Sequence, residues 1–163
     1  MMAERSSQDA TAAWARLVQV QSRVLDAVEQ DLKKAGFPPL VWYDVLLELA
    51  RADSGGLRPV ELERHLLIPQ YAMSRLIDRL VEEGLAERRE CENDRRGQFV
   101  EITSGGRELQ KRMWRAYESA IDEHVGSKLS DTEVLELCAL LDRLGCSSTA
   151  RVPLSGPSRG ALQ

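Results

Sequence analysis

The chain has 163 residues, 22 Lys+Arg against 26 Asp+Glu and a formal net charge of -4, which suits one ordinary domain able to bury its own core. With 43% hydrophobic and 29% charged residues the balance is that of a soluble globular protein, and no apolar run reaches the roughly 18–20 residues of a membrane span. The start, MMAERSSQDATAAW, lacks a signal-peptide layout, and Cys91, Cys138 and Cys146 form no C-x-x-C, so the expected location is cytoplasmic with neither a disulfide framework nor a zinc knuckle.

Residues 1–11 read as a flexible, polar N-terminus. Trp14, Leu17, Val18, Val24, Leu25, Val28 and Leu32 then recur at helical spacing, predicting a helix over about 12–35 that Gly36-Phe37-Pro38-Pro39 stops. Leu40–Ala50 has few polar positions and is expected to be a central helix. Asp53-Ser54-Gly55-Gly56 reads as a turn.

Pro59–Leu67 is predicted as a short helix with Leu62, Leu66 and Leu67 facing inward. After a break at Ile68-Pro69 comes a helix over about Gln70–Glu83, with Ala72, Leu76, Ile77, Leu80 and Val81 as its buried stripe and Gly84 as its end. Leu85–Glu92 and Gln98–Thr103 are strand candidates around the turn Asn93-Asp94-Arg95-Arg96-Gly97. Val100 and Ile102 are expected to face the lobe, and Gln98 and Glu101 the water.

Ser104-Gly105-Gly106 opens a long helix carrying Leu109, Met113, Tyr117 and Val125 on one side. Ser130 followed by Glu133 is a capping-box pattern for a last helix, whose Val134–Leu144 apolar positions run well past a half-face. The tail, 147–163, is rich in Ser, Gly and Pro and reads as disordered.

Helix, helix, short helix, helix, hairpin, helix, helix is the order of a mainly α winged helix-turn-helix (about 40–106) with dimerisation helices before and after it (about 12–35 and 106–146). Residues 58–112 hold 11 of the 22 basic and 11 of the 26 acidic side chains, so the acid excess lies in the flanks. A neutral middle can still present a basic edge.

That edge would come from two elements. The polar face of the Gln70–Glu83 helix offers Gln70 for adenine, Arg75 for guanine, Tyr71 and Ser74 for base or phosphate, and Arg79 for phosphate. Taken alone, this face fits an ordinary solvated helix better; the hairpin shifts the balance. The hairpin tip adds Asp94, Arg95 and Arg96; arginine suits a narrow minor groove, and Asp94 can hold the Arg96 side chain extended.

The run from Leu66 to Gly106, carried by "SRLIDRLVEEGLAERRECENDRRGQFVEITSGGREL", resembles the MarR (multiple antibiotic resistance) family of bacterial transcriptional regulators. Its Gly-ended recognition helix, its "NDRRG" wing with Asp-x-Arg and its Thr-x-x-Gly carry the likeness. The resemblance implies an obligate homodimer whose paired lobes contact neighbouring major grooves of a pseudo-palindromic operator. It also implies the wing aspartate at Asp94, the minor-groove arginine at Arg96, and recognition contacts at Tyr71, Ser74, Arg75 and Arg79. Pro69 departs from the family's usual Ser or Thr helix cap.

The function expected is a sequence-specific DNA-binding regulator, a ligand-responsive repressor; the alternative is a winged-helix protein-interaction module without DNA binding. A small aromatic or anionic effector could meet Trp14, Arg16, Phe37, Trp42 and Tyr43, though these aromatics fit plain core and interface better. Cys91, beside Arg88 and Arg89, is the candidate redox residue. Glu61 with His65, and His124 with Asp122 and Glu123, make poor metal sites, and no catalytic constellation or cofactor motif stands out.

Overall fold

The computed structural model describes residues 2–52, 55–91 and 94–145, with side chains described for all of these except 2–7 and 91–97. Helix α1 spans Met2–Lys34 and so begins about ten residues before the predicted start near residue 12. Nothing between Met2 and Lys34 is Gly or Pro, so no residue interrupts the backbone ladder even where no apolar stripe marks it. The helix ends where the sequence says: Gly36 N donates to Lys33 O at 3.0 Å and Phe37 N to Leu32 O at 2.9 Å, a Schellman closure.

Helix α2 (Leu40–Arg51) is the hinge of the packing, with Val45, Leu46 and Leu49 turned to one cluster and Leu40, Tyr43 and Leu47 to another. The first cluster takes in Leu62 of α3 (Pro59–Leu66), Met73, Ile77 and Leu80 of α4 (Gln70–Glu82), and Val100. The second joins Val28 and Leu32 of α1 to Met113 and Ala120 of α5 (Ser104–His124). One lobe therefore carries the helix-turn-helix, and α1 and α5 cross beneath it.

Two predicted side-chain placements change. Leu67 is 89% exposed, because it ends α3 in the left-handed conformation at φ 53° and its side chain swings outward. On α4 the stripe is centred on Met73, Leu76, Ile77 and Leu80, the i, i+3, i+4, i+7 set, while Ala72 and Val81 are only half-buried.

Strands β1 (Ala86–Cys91) and β2 (Asp94–Ile102) form the antiparallel hairpin, with Ala86 opposite Ile102 and Arg88 opposite Val100. β2 starts at Asp94, which pairs with Cys91, and a register shift between Glu90 and Cys91 leaves Arg95, Arg96 and Gly97 between the Asp94 and Gln98 pairs. Leu57 adds a third strand position: its N–H donates to Val100 O at 3.0 Å and its O accepts from Val100 N at 2.8 Å. Gly56, at φ +73°, permits this pairing, since a Cβ there would drive into the Val100 carbonyl.

Thr103 binds the wing exit to both neighbouring helices. Its Oγ1 donates to Gly84 O at 2.7 Å, closing the end of α4, and accepts from Gly106 N at 3.1 Å, capping α5. A Cβ at Gly106 would meet Leu85 O, so the Thr-x-x-Gly pattern is a packing requirement.

A short 3-10 turn at Gly126–Lys128 leads to α6 (Asp131–Arg143). Its capping box forms as predicted, with Ser130 Oγ accepting from Glu133 N and Glu133 accepting from Ser130 N at 2.8 Å. No residue of α6 is buried. The tail 147–163, Cys146, Asp53-Ser54 and Glu92-Asn93 lie outside the described residues.

Candidate nucleic-acid interface

The geometry of a possible reading surface follows from α3, α4 and the hairpin. α3 and α4 meet at the tight turn Leu67-Ile68-Pro69, and α4 buries Met73, Leu76, Ile77 and Leu80. Its opposite face exposes Gln70, Tyr71, Ser74, Arg75 and Arg79, with Tyr71 at 71%. All five predicted helix contacts thus share one solvent face. Pro69 at the N-cap makes no side-chain cap hydrogen bond, so the N-cap residue leaves the first-turn N–H groups of α4 uncapped.

Asp78 sits within the same face. Its carboxylate accepts from Arg88 Nη2 at 2.6 Å, and Arg88 Nη1 donates to Gln98 Oε1 at 2.9 Å. Gln98 is exposed, as expected, but on the sheet face of Arg88 and Val100 and not on that of Glu101. Strand alternation requires this, since 98, 100 and 102 share a parity. The other face carries Glu87, Arg89, Phe99 and Glu101: Arg89 pairs with Glu87 at 3.1 Å and Glu101 at 3.2 Å, and the Arg58 guanidinium lies 5.2 Å from the Phe99 ring centre.

The backbone of Asp94, Arg95 and Arg96 lies at the far end of β2, and their side chains are outside those described. The Cys91 side chain is outside them too. The two guanidiniums proposed to acidify its thiol, those of Arg88 and Arg89, both hold carboxylates.

The predicted effector residues separate. Phe37 and Trp42 line a cleft of about 680 Å³ with Pro38, Leu85, Glu108 and Arg112, and the Arg112 guanidinium stands 5.7 Å from the Phe37 ring centre. Tyr43 is instead fully buried, stacked on Trp114 at 6.0 Å and edge-on to Tyr117 at 5.5 Å. Burial pushes its hydroxyl up to about 12. Trp14 is 66% exposed on α1, and Arg16 is exposed on the same helix, so neither lines that cleft. Arg112, on α5, escaped sequence reasoning because nothing in its local pattern marks it.

His65 does not face Glu61: its Nδ1 lies 2.9 Å from Oε2 of the buried Glu48, which also pairs with Arg51 Nη1 at 3.6 Å. Glu61 accepts from Arg58 N at 2.7 Å and caps α3. His124 finds its partner across the fold in Asp31.

Helix-turn-helix, hairpin and the α4 face together define a winged helix-turn-helix protein. A model of the MarR family matches residues 35–97. The multiple antibiotic resistance protein MarR of Escherichia coli (strain K12) is 32% identical over 88 residues, 54% of this chain and 61% of that protein, so the chain spans less than two thirds of this relative. The crystal structure of wild-type E. coli MarR in its apo form superposes with a TM-score of 0.68 at 26% identity, covering 80% of this chain and 95% of that one. Sco3205 of Streptomyces coelicolor, a MarR family transcriptional regulator in complex with DNA, has the same fold at a TM-score of 0.72 and 24% identity over 83% of this chain and 88% of that one. Over residues 35–97 the chain is thus similar to the MarR family, and its fold is that of the winged-helix regulators. Among the described residues no helix is long and apolar enough to cross a membrane.

Proposed function

We propose that the protein is a homodimeric transcriptional repressor that binds a pseudo-palindromic DNA operator from the cytoplasm. The carrying observation is the shared solvent face of Gln70, Tyr71, Ser74, Arg75 and Arg79 beside a hairpin whose end bears Asp94, Arg95 and Arg96. α4 would enter the major groove, with Arg75 reading guanine O6/N7 and Gln70 reading adenine. The open first turn of α4 would receive a phosphate, which suits Pro69 where a Ser or Thr cap would compete. Arg96, held by Asp94, would enter the flanking minor groove.

Dimerisation is supported by apolar surface that one chain leaves uncovered. Trp14, Val18 and Val20 on α1, Leu135 and Leu140 on α6, and Leu144 at its C-cap are each at least 45% exposed. A second copy placing α1 and α6 against their counterparts would cover them. The Phe37–Trp42–Arg112 cleft lies between the dimer helices and the lobe, where a small aromatic anion would stack on the rings and pair with Arg112.

Footprinting the purified protein on DNA upstream of its own gene tests the reading. A protected two-fold site is expected, with binding that weakens steeply as salt rises. Alanine at Arg96 should weaken that binding and leave melting unchanged. Binding that ignores salt and sequence would favour a protein-interaction module and overturn the DNA reading.

A further inference from the structure

Asp78 raises a problem for any DNA-binding reading of α4. It stands between Arg75 and Arg79 on the exposed face, and its side chain is 59% exposed. A free carboxylate there would repel phosphate. Arg88 holds it instead at 2.6 Å, and the same guanidinium holds Gln98 at 2.9 Å. One side chain of β1 thereby joins α4 to β2.

The chain link between α4 and the wing is held only at the base of the hairpin, by Leu85 N donating to Leu80 O at 2.8 Å and Thr103 Oγ1 donating to Gly84 O at 2.7 Å. It passes through Glu83-Gly84-Leu85, and Gly84 sits at φ +69° with nothing within 4 Å of where its Cβ would be. Ala86 and Val100 anchor the base of the hairpin in the core. Farther out, Arg88 is the side chain that ties the described part of the hairpin to α4. From Arg88 to Cys91, whose partner across the hairpin is Asp94, the arm extends about 10 Å, at about 3.3 Å per residue. A tilt of about 15° at its base would move the end about 3 Å, a full hydrogen-bond length.

We propose that Arg88 is a positioning residue: through Asp78 and Gln98 it fixes the angle between α4 and the wing, so that both reach their grooves on one duplex. The inference rests on the DNA-binding reading above and assigns within it a residue that touches no base. Exposed ion pairs contribute little to stability, so this link acts on geometry and leaves the fold's free energy nearly unchanged.

The sign of the Asp78→Asn effect is the test. If Asp78 only opposes DNA, removing its charge tightens binding; if it serves the link, binding weakens. Asp78→Asn, Arg88→Gln and the double variant would be measured on a duplex that the parent selects from a random pool. Salt titrations and hydroxyl-radical footprints would accompany each.

Each single variant should bind about 5–10-fold more weakly, and the double variant no worse than either. The parent's salt slope and melting should be kept, while the flanking minor-groove protection fades. Asp78→Asn binding as tightly as the parent or tighter would overturn the positioning role alone. A salt slope reduced by about one phosphate in Arg88→Gln would also overturn it, by making Arg88 a direct DNA contact. Failure of the parent to select any duplex would instead remove the DNA-binding reading, and this inference with it.

Discussion

Asp31 Oδ2 lies 2.6 Å from His124 Nε2 across 93 residues of sequence, clamping the last turn of α1 to the last turn of α5. Lys34 Nζ adds a second contact to Asp31 at 3.0 Å. The hydrogen bond from His124, and then that from Lys34, hold the Asp31 carboxyl below its ordinary value of 3.8. A carboxylate lowered on folding contributes stability above that ordinary value and loses it as pH falls through the lowered one. Asp31→Asn should therefore cost stability at pH 6 and nothing at the acid end of the range. Urea midpoints of parent and variant between about pH 2.5 and 7 should converge on acidification; a constant gap would show that the clamp does not depend on the ionised carboxylate.

Gly56 and Gly84 are both left-handed, at φ +73° and +69°, yet they differ in what surrounds them. Alanine at Gly84 meets open space and should cost only the backbone term, about 1 kcal/mol. Alanine at Gly56 collides with the Val100 carbonyl and must break the Leu57–Val100 pairing, so about 2 kcal/mol or more is expected. Amide exchange at Leu57 and Val100 should accelerate in the Gly56 variant only. Equal losses in both would mean that the close approach has no energetic weight.

The elements whose information is local were legible in the sequence. Gly36 and Gly84 end α1 and α4, Ser130 with Glu133 starts α6, and Thr103 with Gly106 joins the wing to α5. The recognition face was legible because a 3.6-residue period assigns Gln70, Ser74 and Arg75 to one side without any tertiary knowledge. Pairings between distant residues left no such mark. Nothing in the sequence says that Asp78 meets Arg88, that Asp31 meets His124, or that Leu57 lies against Val100. Tyr43 was grouped with Phe37 and Trp42 for its chemistry alone; helix phase turns it inward onto Trp114 and Tyr117.

On α6, Leu135 and Leu140 are 71% and 55% exposed. Glutamate at Leu140 places a charge where a second copy should pack, at no cost to the single lobe. Sedimentation should shift from dimer to monomer, and operator binding should fall with it. A Leu140→Glu protein that sediments like the parent would move the interface away from α6. Leu62→Glu, in the lobe core where Leu62 is fully buried, should instead unfold the chain.

Asp44 is half-buried on α2 near two other carboxylates, Glu29 and Glu48. Burial first, and then those two charges, push its carboxyl up to about 6 from the ordinary 3.8. Glu29 is already committed as acceptor for Leu40 N at 3.1 Å, and Glu48 to His65 and Arg51, so neither is free to relieve it. A carboxyl raised on folding favours the native state while protonated, and the benefit disappears as pH rises through about 6. Asp44→Asn removes the dependence. Parent and variant should be equally stable near pH 3.5, and the variant should be the more stable at pH 8, by at most about 3 kcal/mol. Thermal melts across that range would show the two curves separating between about pH 4 and 6.5. Curves that stay parallel would mean that Asp44 is hydrated in solution and ionises as an ordinary carboxylate.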